Sequence, residues 1–254
     1  MSKSYTQTAL VLAAYPLGEA DLRLRIFSGG RGLQTVVAKS AKKPKSSLRG
    51  LCQPPSLVNI ELAASRGGMD ILKQGELLEG YLQIKADFDK TAAAAYLSEL
   101  ILAAQNDNEP SEGVLELAQA VLALFEYANR PSFAVRVFEA RYLTLLGLLP
   151  ELGGCVGCGA KQEEKTVYLS VSEGGLLCAA CRAQNPDQQG FNLSLGSVKT
   201  LLRLLVLPFD KLTTVGLSAA ADNELGEVLG EYLQYHLGCR LKSRRFLQLS
   251  AKTL

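Results

Sequence analysis

Over the first 80 residues, apolar side chains recur at every second position or in short runs, and glycine clusters separate them. Thr8 to Ala13 is a short apolar run. Asp21 to Phe27 alternates, with Leu22, Leu24 and Ile26 on one side and Arg23 and Arg25 on the other. That period of two is the signature of a half-buried strand. Ser28-Gly29-Gly30-Arg31-Gly32 reads as a turn, and Leu33 to Lys39 as the returning strand. Ser56 to Leu62 and Asp70 to Leu78 complete a set of five, joined through a turn at Arg66-Gly67-Gly68. Five short strands with no early helix predict a small antiparallel barrel.

From about Asp87 the period lengthens to that of a helix. Asp89 or Thr91 can cap a helix reaching Ala104, whose apolar face holds Tyr96, Leu97, Leu100 and Ile101. After the polar stretch Gln105 to Ser111 come a second helix over Val114 to Ala128 and a third, capped by Ser132, that runs to Leu146 and stops at Gly147. Helices return at Leu195 to Val206 and at Asn223 to Leu237, the last with Asp222 as N-cap and Gly238 as its end. The predicted class is α+β: a five-stranded barrel over 1–82, then a mostly helical domain over 83–254 interrupted at about 153–183.

That interruption carries chemistry. Cys155-Val156-Gly157-Cys158 is followed, after 19 residues, by Cys178-Ala179-Ala180-Cys181. Two pairs of cysteines with two residues inside each pair match a four-thiolate zinc site. A tight turn aims both sulfurs of a pair at one ion, and Gly157 and Gly159 keep that turn open. Between the pairs, Thr166 to Ser172 alternates as a strand and Glu173-Gly174-Gly175 turns it back, which completes a zinc ribbon. Four thiolates leave no coordination position for water, so the Zn²⁺ is expected to be structural. Lys161, Lys165 and Arg182 stand near enough in sequence to soften its excess negative charge.

Composition narrows the remaining chemistry. The chain has 254 residues and one histidine, His236, which excludes a multi-histidine metal centre and disfavours histidine-based catalysis; a helix-end position is expected for it. No phosphate-binding G-x-x-x-x-G-K element is present, and no catalytic residue is assigned. Ala9 to Leu17 reads as a buried strand rather than a signal peptide, and no apolar run approaches the roughly 18 residues of a membrane span. A cytoplasmic setting is therefore expected, where Cys52 and Cys239 stay as idle or buried thiols.

Charge is uneven: residues 1–80 carry a balance of +5 and residues 81–254 one of −3. Lys39, Lys42, Lys43, Lys45 and Arg49 lie in one acid-free stretch after the third strand. Mobile cations beside a barrel suit a phosphate backbone, and Arg23 and Arg25 could extend the surface. Tyr15 and Phe27 are the few rings nearby, which points to backbone contact with little base recognition. Arg240, Lys242, Arg244, Arg245 and Lys252 form a second cluster.

These features together resemble the RecO family of bacterial recombination mediators. The resemblance rests on Thr8-Ala9-Leu10-Val11-Leu12, Gly18-Glu19-Ala20-Asp21, Val37-Ala38-Lys39, Lys43-Pro44-Lys45-Ser46, Leu51-Cys52-Gln53-Pro54, the cysteine pairs and Leu241-Lys242-Ser243-Arg244-Arg245-Phe246-Leu247, in that order. Ser40 stands where the family often has glycine. The resemblance implies an OB-fold, a helical domain and a zinc module, binding of single- and double-stranded DNA, annealing of complementary strands, and a place beside the nucleoid. Its implied partners are RecR and the acidic C-terminal tail of single-stranded DNA-binding protein, during RecA loading. For that tail, a local cation beside an apolar pocket is needed; Arg130, Arg136 and Arg141, interleaved with Phe133, Val137 and Phe138, are candidates, followed by Arg244 and Arg245. A zinc-containing nucleic-acid hydrolase and a pure protein-interaction scaffold are the alternatives.

Overall fold

A computed structural model describes residues 4–65, 68–127, 131–184, 186 and 188–250. The chain forms two compact units, Met1–Asn129 with Leu241–Leu254, and Arg130–Arg240. The Arg66-Gly67 part of the expected turn, Arg130 and Lys252 lie outside the described residues. No helix among the described residues is long and apolar enough to cross a membrane.

The first unit opens with β1 (Ser4–Leu17), β2 (Asp21–Ser28), β3 (Gly32–Ala38), β4 (Ser56–Ala63) and β5 (Asp70–Glu79). They close into a barrel in the order β1-β2-β3-β5-β4, antiparallel except where β3 runs parallel to β5. This is the OB-fold topology. β1 exceeds the expected Thr8 to Ala13 because it serves two neighbours: Ser4 to Val11 pair with β4, and Leu10 to Leu17 pair with β2. A register shift between Val11 and Ala13 marks the hand-over. Irregular pairing of this kind bends a strand and increases its twist, as closure requires.

Ala9, Val11, Leu24, Ile26, Val36, Ala38, Val58, Ile60, Leu62 and Leu72 form the barrel core. One end of that interior is polar and internally satisfied. Ser28 donates to Gln7 (3.1 Å), Gln7 to Gln34 (2.7 Å), Gln34 to the Tyr5 hydroxyl (3.0 Å), and Tyr5 to Asp70 (2.6 Å). A chain of this kind lets polar groups enter a barrel without the cost of orphaned donors.

The basic stretch is an ordered succession of turns, not the mobile loop expected from its small residues. Amides of Lys43, Ser46, Arg49 and Cys52 each donate to the carbonyl three residues earlier. Ala41, Leu48, Leu51 and Cys52 insert into the barrel core and pin the segment. Burial pushes the Cys52 thiol up to about 11. At the start of this stretch, Ser40 adopts φ +56°, and its N–H donates to Asp21 at 2.7 Å.

Helices α1 (Leu82–Ala86), α2 (Phe88–Ala104) and α3 (Val114–Tyr127) follow. The N-cap of α2 is Asp87, which accepts from the Lys90 amide at 2.9 Å, rather than Asp89 or Thr91. Thr91 instead donates its hydroxyl to the Ile84 carbonyl. The short α1 was not expected; Glu126 accepts from the amides of Gln83 (3.0 Å) and Ile84 (3.2 Å) and so satisfies its first turn. Glu99 holds the entry to α8 (Arg244–Ser250), accepting from the amides of Lys242 and Ser243 just before it. The 105–111 segment lies along the β2–β3 hairpin, where Asn108 donates to the Leu33 carbonyl and Ser111 to that of Gly29.

The second unit holds α4 (Pro131–Leu145), β6 (Thr166–Ser170), β7 (Gly175–Leu177), α5 (Ala179–Gln184), β8 (Gly190–Ser194), α6 (Leu195–Val206) and α7 (Ala219–Leu237). Pro131 is already helical, which places Ser132 inside the first turn rather than at the cap. Ser218, not Asp222, caps α7, four residues earlier than the pattern indicated. The strands form a sheet in the order β7-β6-β8. Helices α4, α6 and α7 pack on one another around Phe138, Tyr142, Leu204, Leu229 and Leu233.

Two backbone positions generate a paired prediction. Gly32 has φ +64°, and a Cβ there would fall 1.9 Å from the Glu109 carbonyl oxygen. Gly32→Ala therefore adds left-handed strain to a backbone clash and is expected to cost about 3 kcal/mol. Ser40→Gly relieves a left-handed non-glycine and is expected to gain about 1 kcal/mol. Urea unfolding of the two variants checks both signs.

Candidate metal centre and nucleic-acid interface

The metal centre is built from two chain segments held by β7. Glu151 donates its amide to Gly174, Leu176 donates to Glu151, and Val156 donates to Leu176, so the first cysteine pair is laced to the strand that leads into the second. Cys178 follows β7 directly, and Cys181 sits in α5. The four sulfurs lie within 4.8 Å of one another, and those of Cys158 and Cys178 are 3.8 Å apart. A tetrahedral ion with 2.3 Å bonds to sulfur demands edges of about 3.8 Å, so the cage fits. It also exceeds a disulfide length, and all six cysteines are free.

Backbone amides prepare the cage for negative charge. The Cys178 amide donates to the Cys155 sulfur at 3.3 Å and the Cys181 amide to the Cys178 sulfur at 3.5 Å. Burial pushes the Cys155 thiol up, but the amides of Cys178, Cys158 and Gly157 outweigh it and bring it down to about 6. Hydrogen bonds from Cys178, Cys155 and Cys158 push Cys181 in the opposite direction, to about 12. Without an ion the cage thus favours a thiolate at Cys155 and resists one at Cys181. Gly157 leaves the cage room: a Cβ there would press on the Cys181 sulfur at 3.0 Å. Beside the cage, the Arg182 guanidinium covers the Tyr168 ring at 4.0 Å and donates to Asn192.

The basic segment presents Lys39, Lys42, Lys43, Lys45 and Arg49 as exposed side chains. The Lys42 amide donates to Ala20 and its ammonium reaches the Gly18 carbonyl at 3.4 Å, which sets the segment against the β1–β2 turn. Arg23 is exposed on the outer face of β2. Arg25 differs: both terminal nitrogens contact Asp107, at 2.6 and 3.2 Å, and one also donates to Thr35. Its charge is already answered, by a carboxylate 82 residues away in the chain that sequence periodicity does not reveal. Phe27 is fully buried, so Tyr15 is the ring left on this side.

The cations proposed for a partner also divide. Arg136 is buried, 3.1 Å from Glu139 and 3.8 Å from Asp222, and lies over Gly226, where a Cβ would be 2.5 Å from its guanidinium. Arg141 donates to the carbonyls of Leu204 and Leu207, closing the C-terminal end of α6, and stacks on Phe209 at 4.3 Å. The reading of this helix face as an open pocket is corrected: α6 and α7 cover it, and its arginines hold the unit together. Arg244 is buried, whereas Arg245 is exposed. His236 lies in the last turn of α7 as expected, its ring tilted 49° to that of Tyr232 with ring centres 4.3 Å apart. Its imidazole is pushed down by burial, against a hydrogen bond to the Val171 backbone.

Family models divide the chain as its elements do. Residues 1–81 match the model described as recombination protein O N terminal, and residues 85–245 match recombination protein O C terminal. The chain belongs to the RecO family. Curated RecO relatives agree over nearly their whole length. The chain is similar to the DNA repair protein RecO of Desulforamulus reducens, 34% identical, covering 96% of this chain and 94% of that protein. The DNA repair protein RecO of Desulforudis audaxviator is 35% identical with 97% of each covered. That of Symbiobacterium thermophilum is 30% identical with 96% of each covered. Membership of the RecO family gives this chain a role in DNA repair.

The buried ion group yields a prediction. Removing one partner of a buried pair strands the other charge, so Arg136→Ala should cost about 3–5 kcal/mol. Chemical denaturation should show that loss; a variant as stable as wild type would mean the carboxylates of Glu139 and Asp222 need no counter-ion.

Proposed function

We propose that this protein is a non-enzymatic recombination mediator that binds single- and double-stranded DNA, anneals complementary strands and helps load RecA onto DNA coated by single-stranded DNA-binding protein. The observation that carries the reading is the ordered basic segment: five exposed cations, with no acid among them, fixed to a closed OB-fold barrel. Rigid placement of cations beside a barrel suits repeated phosphates without reading sequence. Arg23, Lys39, Lys42, Lys43, Lys45 and Arg49 are the proposed DNA ligands; Arg25 is a secondary one because Asp107 holds it. In this reading the 1–82 barrel engages DNA and the 83–254 domain serves RecR and the acidic tail of single-stranded DNA-binding protein, with Arg245 as the exposed cation of the set named from sequence. The setting is the cytoplasm, beside the nucleoid. The lone histidine and the missing phosphate-binding motif support a mediator over a hydrolase.

The ion we assign to Cys155, Cys158, Cys178 and Cys181 is Zn²⁺, bound structurally. The gathering of the four sulfurs within 4.8 Å and their amide donors favour it, and four sulfurs complete its coordination. When bound, the ion would supply folding free energy on the order of 10 kcal/mol in a module this small. Elemental analysis should give one zinc per chain, lost in Cys158→Ser and kept in Cys52→Ser. Metal-free protein purified without chelators would sink the assignment.

For DNA, replacing Lys42, Lys43 and Lys45 with Ala should weaken binding to every sequence alike. The slope of log K against log salt should flatten by about 0.7–0.9 for each lost phosphate contact. An unchanged slope would remove this segment from the interface. Annealing of complementary strands, with and without the coating protein, tests the mediator reading itself.

A further inference from the structure

Tyr15 occupies an unusual place on the barrel. Past the register shift in β1 it pairs with Arg23 of β2, which pairs with Val37 of β3, which pairs with Ile71 of β5. A row of four residues therefore crosses the outer face at one level. The Arg23 guanidinium sits 5.3 Å from the centre of the Tyr15 ring. The ring is nevertheless 42% exposed, and neighbouring Leu17 is 37% exposed. Three residues beyond Tyr15, the Gly18 carbonyl receives the Lys42 ammonium, so the basic segment begins where the ring is displayed. Tyr5, on the same strand, joins a partly buried hydrogen-bonded chain through its hydroxyl. Tyr15 has no such work among the hydrogen bonds of the barrel.

We infer that Tyr15 is a stacking platform for one unpaired base, braced by Arg23, and that it makes this face prefer single-stranded over duplex nucleic acid. The inference rests on the DNA-binding reading above and deepens it. The lysines of the basic segment can meet phosphates of either form. Only a strand whose bases are unstacked can lay one on a ring, and an arginine over the same ring adds a cation–π contribution to that stack. A single platform gives a modest preference, indifferent to base identity because every base has a flat face. That is the selectivity useful to a surface that must hold bare strands and later release them as a duplex.

The chain contains no tryptophan, so Tyr15→Trp introduces a single tryptophan, selectively excited apart from the tyrosines, at the proposed platform. Binding is followed independently by the anisotropy of end-labelled oligo(dT) and of a blunt duplex of equal length. Tryptophan emission should be quenched as oligo(dT) saturates the protein and stay nearly unchanged as the duplex does. Tyr15→Ala should weaken oligo(dT) binding about ten-fold and leave duplex binding within two-fold, whereas Tyr15→Phe should behave as wild type. Unchanged emission while anisotropy reports bound oligo(dT) would overturn the stacking role and leave the DNA-binding reading standing. Equal losses for both forms in Tyr15→Ala would do the same. If wild type binds neither DNA, the DNA-binding reading fails and the platform falls with it.

Discussion

Barrel closure by β1 is the constraint on which the first unit depends. One strand must satisfy two neighbours in succession, and it does so by shifting register midway. That shift reverses which residues face inward: Ala9 and Val11 enter the core before it, Ala14 after it. Tyr15 is outside and Tyr5 inside for this reason alone. The same closure fixes the β1–β2 turn against which Lys42 rests, so the display of the basic segment is a consequence of how the barrel shuts.

The second unit solves a different problem. A three-stranded sheet with strands of three to five residues has little core of its own. The buried surface around the cage is small: Cys155, Tyr168 and Leu177, with Cys178 and Cys181 packed against them. The helices beside it rely on charge as well as on apolar packing. Arg136 lies between a carboxylate on its own helix and one on α7, and Arg141 answers the carbonyls that α6 leaves open.

Much of this was legible in the sequence, and what escaped has a common cause. The alternation of Leu22, Leu24 and Ile26 faced the core as read, and the cysteine spacing announced a cage whose sulfurs are in fact gathered. These are local signals. The short helices α1 and α8 escaped because Glu126 satisfies the first turn of one and Glu99 anchors the entry to the other, carboxylates far away in the chain. Arg25 looked like a phosphate ligand until Asp107 was placed beside it. Arg136 and Arg141 read as cations beside an open pocket because helical periodicity describes one face at a time, whereas α4 packs against both α6 and α7. Asp222 had every property of an N-cap, yet Ser218 takes that role and Asp222 turns to Arg136.

The clasp between Glu99 and Ser243 joins residues 144 positions apart. A ribosome releases the barrel strands and α2 long before it makes α8, and the whole of the second unit is synthesised in between. During that interval the carboxylate of Glu99 and the side of α2 that α8 covers have no native cover. The first unit is therefore completed last although it is begun first. Nascent chains stalled within the second unit would carry the barrel strands and α2 with the flank that α8 covers still open.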